Sequence, residues 1–147
     1  DPETNQKYVP YCIEPSLGLD RLFLMVVTDS YDEETLPNGE IRKIMHLKPF
    51  LAPYKAAILP LNNKLNDKAL EVFNSLIPYI RVNYDTTGSI GKRYRRNDKN
   101  ENTYCVTIDF DTLNDESVTV RDRDSMEQVR IKISDLKDYL MEKTFYR

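Results

Sequence analysis

Tryptophan is absent from this 147-residue chain, histidine occurs once, cysteine twice and glycine only four times. Each scarcity excludes something. The single histidine, His46, has no histidine or cysteine near it in sequence, so it offers neither a zinc-ligand spacing nor a catalytic dyad. Cys12 and Cys105 cannot build a disulfide framework. Both sit in apolar, β-rich runs, which predicts two buried free thiols in a reducing compartment. No apolar run approaches the ~20 residues of a membrane span. The first residues, Asp1-Pro2-Glu3-Thr4-Asn5, lack the basic and apolar regions of a secretory signal. Internal repeats and low-complexity tracts are missing as well. An excess of one charge is also lacking: 21 Lys and Arg face 24 Asp and Glu, for a net charge of −3. Any affinity for a polyanion must then come from a local patch rather than a global field.

What is present fits a folded α/β protein. Apolar residues make up 40% and charged residues 31%, enough for one full core, or for one domain plus an attached piece. Tyr8 to Ile13 reads as a strand, Glu14-Pro15-Ser16 as a turn, and Leu19 to Thr28 as a helix apolar nearly all round, which asks for a partner surface. Residues 31–47 read as an acidic linker or insertion around the turn Leu36-Pro37-Asn38-Gly39. From residue 48 onward the rhythm is regular. Ala56 to Leu61 is a strand covered on both faces. Asn66-Asp67 caps a helix with the stripe Ala69, Leu70, Phe73, Leu76 and Ile77, ended by Pro78. A strand over Ile80 to Tyr84, a helix capped by Ser89 and a strand over Tyr104 to Phe110 follow. Ser117 to Asp122 and Glu127 to Ile133 form a hairpin, and Ser134 caps a last helix with Leu136, Tyr139 and Leu140 inward. The order predicts a mixed β-sheet flanked by helices, its first three strands parallel through right-handed crossovers.

Two places carry chemistry. Gly88-Ser89-Ile90-Gly91-Lys92-Arg93-Tyr94-Arg95-Arg96 packs two glycines, a tyrosine and four cations into nine residues. Paired cations around an aromatic suit a polyanion whose bases can stack. The same run also reads as a solvated helix face, and helical spacing places Tyr94 beside Ile90, where it would serve the core. The second place is Glu14-Pro15-Ser16-Leu17-Gly18-Leu19-Asp20-Arg21, a strand–turn–helix junction. Gly18 lets backbone approach a ligand, a helix start favours anions, and Arg21 can grip a phosphate with two donors. An internal ion pair of Arg21 with Asp20 or Glu14 explains the same residues.

This junction resembles motif 3 of the class II aminoacyl-tRNA synthetases, in the form found in dimeric glycyl-tRNA synthetases. The resemblance continues in order through Leu51-Ala52-Pro53-Tyr54-Lys55, Leu59-Pro60-Leu61, Gly88 to Tyr94, Thr107-Ile108-Asp109-Phe110-Asp111-Thr112 and Val120 to Arg130. It implies that residues 1–30 are the end of a class II catalytic core and 48–147 an anticodon-binding domain. It also implies that Glu14 and Ser16 lie beside the glycine substrate, that Arg21 meets ATP at its γ-phosphate, and that Gly18 belongs to the ATP site. Leu17 departs from the aromatic usual there, which changes packing beside the adenine pocket and leaves the charged roles intact. Lys92, Arg93, Arg95 and Arg96 are expected on RNA phosphates, with Tyr94 stacking and Arg121 and Arg123 reading base edges. Because Arg121-Asp122-Arg123-Asp124 alternates in sign, a salt-bridge ladder across the hairpin is the other reading.

Motifs 1 and 2 would precede Asp1, so the resemblance implies that this stretch alone is inactive and its parent a ligase. That parent would use ATP, Mg²⁺, glycine and tRNA(Gly), act as a homodimer away from any membrane, and work in the cytoplasm or an organelle. Two rivals remain at this stage. One is a non-enzymatic nucleic-acid clamp resembling the accessory subunit of the mitochondrial DNA polymerase, against which Glu14, Ser16 and Arg21 argue. The other is an interaction module cut from a synthetase.

Overall fold

A computed structural model of the chain describes residues 1–99 and 102–145. Residues 146 and 147, the last of the expected anticodon-binding segment, lie outside it.

The elements follow one another as α1 (Leu19–Ser30), β1 (Tyr31–Thr35), β2 (Ile41–Met45), β3 (Ala56–Pro60), α2 (Asn66–Leu76), β4 (Val82–Tyr84), α3 (Ile90–Lys99), β5 (Tyr104–Ile108), α4 (Thr112–Asp115), β6 (Ser117–Asp122), β7 (Gln128–Lys132) and α5 (Ile133–Thr144). Strands β3 to β7 form one mixed sheet in the order β4-β3-β5-β6-β7. β3 pairs parallel with β4 and with β5, while β6 and β7 add antiparallel, as the sequence predicts.

The two central strands are buried at every residue because both sheet faces are covered. On one face Ala56 and Ile58 of β3 and Val106 and Ile108 of β5 pack against Ala69, Val72 and Leu76 of α2 and Leu136 and Leu140 of α5. On the other face Ala57, Leu59 and Cys105 meet Ile90 and Tyr94 of α3. The basic helix is thereby pinned to the sheet by its apolar side, which fixes where each of its cations points.

Several expectations are corrected. Residues 8–13 form no strand; they are irregular and exposed, since a strand needs a hydrogen-bonded neighbour and the described residues place none beside them. Cys12 is consequently exposed, and only Cys105 is buried. Within residues 31–47, expected as a linker or insertion, residues 31–45 hold an antiparallel hairpin of β1 and β2 around the predicted turn, two strands that the expectation did not include. There Gly39 adopts φ +80°, a conformation other L-residues rarely take, and Leu36 and Glu40 close the loop by a 2.9 Å backbone hydrogen bond. Asn66 is not the cap of α2. A 3₁₀ turn over Asn63–Leu65 precedes the helix, and Asn62 caps that turn by accepting from the Lys64 amide. Ser134 gives α5 no side-chain cap either, its hydroxyl bonding Asp135 instead.

Helix α1 runs straight into β1, and the amide of His46 donates to the Ser30 carbonyl where the two meet. Its outer residues Phe23, Leu24 and Met25 stay exposed, so the partner surface that its apolar character calls for is not among the described residues.

Candidate nucleic-acid interface

Helix α3 distributes its cations by the 3.6-residue period. Gly88, at φ +87°, turns the chain into the helix. Ile90, Arg93, Tyr94, Asn97 and Asp98 then face inward, while Lys92 and Arg95 face solvent.

Arg93 is buried and works as a staple, donating from Nη1 to the carbonyls of Pro60 (2.6 Å), the last residue of β3, and Asp85 (3.2 Å), just past β4. Arg96 forks onto the Asp85 carboxylate at 2.6 to 3.0 Å and also reaches the Thr87 carbonyl. Burial alone would push the Asp85 carboxyl up; the hydrogen bonds from Arg96 and the Thr87 amide outweigh it and hold the group below its ordinary range. Tyr94 lies half-buried against Ala57, Leu59 and Cys105, its hydroxyl 2.7 Å from that of Thr107, and burial raises its pKa.

The hairpin arginines are turned inward. Arg121 forks onto Asp98 at 2.9 and 3.3 Å with its guanidinium 5.0 Å from the Tyr94 ring centre. Arg123, 2% exposed, donates to the Leu47 carbonyl and the Asp124 carboxylate. Neither pairs across β6 and β7. Their ion pairs run to α3 and to the adjacent turn instead, so both the edge-reading and the ladder expectations for these two side chains give way to internal anchoring. For Arg93, likewise, both Nη1 hydrogen bonds point into the protein rather than outward to a phosphate.

An arginine that the sequence reading passed over completes the arrangement. Arg42 of β2 donates from Nε to Asp98 (3.1 Å), from Nη1 to Glu34 (2.8 Å) and from Nη2 to the Arg123 carbonyl. Its signal was the alternation Arg42, Ile44 along one face of a strand. Between this hairpin and α3 lies a cavity of about 300 Å³, bordered by Lys43, Gly91, Tyr94, Arg95, Arg121 and Met126. Across its surroundings Arg95 pairs with Glu40, both side chains largely in solvent.

Residues 55–143 match the family described as anticodon binding domain. The chain belongs to that family. At 59% identity it is similar to a glycine–tRNA ligase of Clostridium tetani, the alignment covering 97% of this chain and 31% of that protein. A glycine–tRNA ligase of Staphylococcus aureus strain JH9 is 57% identical over 98% of this chain and 31% of its own length. The chain thus spans about a third of the curated relatives it matches. Two solved structures share the fold. The RNA binding domain of threonyl-tRNA synthetase from Cryptosporidium parvum superposes with a TM-score of 0.63 at 24% identity, over 68% of this chain and 26% of that one. Histidyl-tRNA synthetase from Nostoc does so at 0.60 and 22%, over 63% and 23%.

In this anticodon-binding domain, then, the cations of the run Lys92 to Arg96 that remain toward solvent are Lys92 and Arg95, with Arg96 at the margin, and Lys99 in the last turn of α3 is exposed as well. At the other end of the chain, Glu14, Ser16 and Gly18 lie in the exposed irregular stretch before α1, and Arg21 is in the first turn of α1. An added Cβ at Gly18 would stand 3.6 Å from Arg21 Cδ, so the arginine folds back along the helix start. No ion pair joins Arg21 to Asp20 or Glu14 among the described residues. His46 stands among three carboxylates, with Nδ1 2.8 Å from Asp124 and Nε2 3.4 Å from Glu34 and 3.8 Å from Asp32. Asp32, Glu34 and His46 are the described residues nearest to a metal-ligand set.

Proposed function

We propose that the chain reads the anticodon of tRNA(Gly) for a glycine–tRNA ligase, residues 48–147 contacting the RNA and residues 1–30 closing the enzyme's class II core. The observation that carries this reading is the conjunction of an anticodon-binding-domain match over residues 55–143 with glycine–tRNA ligases similar over 97% of the chain. Single-stranded RNA is recognised by splayed bases held on aromatic or guanidinium planes and by cations on the backbone. Lys92 and Arg95 supply the cations on the open face of α3, with Arg96 available where a phosphate displaces Asp85. In the longer ligase Glu14 and Ser16 would hold glycine, Arg21 the ATP γ-phosphate and Gly18 another part of ATP, Mg²⁺ serving the phosphates. The exposed apolar outer face of α1 supports a core that continues beyond these residues. Such a ligase would act as a homodimer in the cytoplasm.

The test is binding of a tRNA(Gly) transcript to this chain across a salt series. Association is expected to weaken steeply with salt, by about −0.7 in log–log slope for each single-strand phosphate met. Lys92→Ala, which touches nothing in the core, is expected to reduce that slope by about one unit. No binding at low salt, or binding that ignores salt, would refute the reading.

A further inference from the structure

The hairpin of β1 and β2 carries Glu40 at its tip and places it on Arg95, the most open arginine of α3. A carboxylate on a guanidinium occupies the donors that an RNA phosphate would use. Behind this ion pair lies the cavity of about 300 Å³, at the small end of sites that take compact ligands. One wall is Tyr94, fixed by its bond to Thr107 and faced by the Arg121 guanidinium. Met126 supplies an apolar border, and Lys43 a cation half in solvent. Gly91 opens the helix side, since a Cβ there would meet nothing within 4 Å. Asp98 holds the two sides of the space together by binding Arg42 from the hairpin and Arg121 from the sheet.

We propose that this cavity receives one unstacked RNA nucleotide and that Glu40 acts as a built-in competitor, holding Arg95 until a phosphate replaces it. The base enters beside Tyr94, its phosphate takes over Arg95, and Glu40 is released to water. The hairpin is then a gate on the RNA site rather than a spacer. The exchange is cheap because exposed ion pairs contribute little. It is also selective, because only a ligand bringing both a phosphate and a planar base uses both halves of the site. This proposal rests on the anticodon-reading function above.

The experiment measures binding of an anticodon stem–loop RNA carrying a glycine anticodon, at fixed low salt, to the whole chain. Glu40→Gln is expected to bind about two- to five-fold more tightly, the equivalent of one exposed ion pair no longer given up. Arg95→Ala is expected to bind more weakly, and Glu40→Gln in the Arg95→Ala background to gain nothing. An equal gain in both backgrounds would mean that Glu40 acts only through the general field, and would overturn the competitor role. Gly91→Leu fills the cavity from a position with free space, so its melting temperature is expected to hold or rise while RNA affinity falls at least ten-fold. Undiminished affinity in that variant would overturn the nucleotide site. If the unaltered chain fails to bind the stem–loop at all, the anticodon reading itself fails. If it binds with the expected salt dependence and Glu40→Gln does not tighten it, the competitor role fails alone.

Discussion

Asp98→Asn is the substitution that probes the structure most sharply. The carboxylate is 2% exposed and receives Arg42 Nε at 3.1 Å and Arg121 Nη1 and Nη2 at 2.9 and 3.3 Å. Both arginines are themselves buried, at 6% and 7%. Asparagine keeps the shape but removes the charge, and it turns an amide donor toward two sets of donors. At an effective dielectric near 20, a unit pair at about 4 Å is worth about 4 kcal/mol, and here two such pairs vanish while Arg42 and Arg121 go on repelling each other. Part of that loss is returned, because Arg42 keeps Glu34 and the Arg123 carbonyl. Removing one partner of a buried pair typically costs about 3–5 kcal/mol, and the expectation here lies in that range.

Urea unfolding followed by far-UV circular dichroism reads it directly. With a slope of about 2 kcal/mol/M, the midpoint is expected to fall by about 2 M without a change in slope. The same reasoning carries a rescue. Asp98→Asn combined with Arg42→Met and Arg121→Met leaves no uncompensated charge, and buried ionic groups replaced by apolar ones are commonly neutral or better. The triple variant is therefore expected to be more stable than Asp98→Asn alone. A single-variant loss below about 1 kcal/mol would refute the account, because Asp98 would then not be the anchor between hairpin and sheet. So would a triple variant no better than the single one.

Two further outcomes test other parts of the structure. Cys12 is exposed, whereas burial pushes the Cys105 thiol up to about 12; a thiol reagent at pH 8 is therefore expected to modify one cysteine in the native chain and two in denaturant, and two fast reactions would mean that β5 is not covered by α3. Burial would raise the Asp109 carboxyl, but Arg130 and Thr112 hold it below its ordinary range. Its contribution to stability is then complete above the unfolded carboxylate range and is lost as pH falls through the lower folded value. Between about pH 4 and pH 2 the unaltered chain should lose more stability than Arg130→Ala, and parallel pH profiles would refute the clamp.

The sheet was legible in the sequence because each central strand is a short apolar run between turn signals, and each helix opposite it repeats at three and four. Ala56 to Leu61 and Tyr104 to Phe110 needed nothing else. The hairpin of β1 and β2 was hidden by its composition. Tyr31-Asp32-Glu33-Glu34-Thr35 shows no apolar alternation, because none of its five residues is buried and only Arg42, Ile44 and Met45 of its partner are. A strand whose inward residue is an arginine reads as a linker until the buried carboxylate it seeks is known, and Asp98 lies fifty-six positions away. Caps failed for a related reason: Asn66 and Ser134 are good cap residues, but the chain enters α2 through a 3₁₀ turn and α5 directly from β7. The strand expected at residues 8–13 reflects sound local propensity without a neighbour to pair with.

The cations of α3 show where sequence reasoning about a charged site stops. Spacing alone separates Lys92 and Arg95 from Arg93, since Ile90 and Tyr94 mark the apolar face and Arg93 sits beside it. What spacing cannot supply is the depth of that face, which depends on the partners each group finds across the fold. Arg93 is tolerated inside because Pro60, at the end of β3, and Asp85, just past β4, present carbonyls to it. Arg121 and Arg123 are affordable because Asp98, Leu47 and Asp124 converge on them from a helix, a loop and a turn. Each such partner lies on a different element from its arginine or at a turn, except that the parallel sheet brings the strand ends together and so makes the convergence systematic. The internal hydrogen bonds also set the surface, since drawing Arg93 inward and Arg96 onto Asp85 leaves Lys92, Arg95 and, in the last turn, Lys99 open on α3. A local basic run in an acidic chain therefore yields two open positive groups rather than four. The acidic hairpin opposite them, by placing Glu40 on one of the two, decides how readily that face accepts a phosphate.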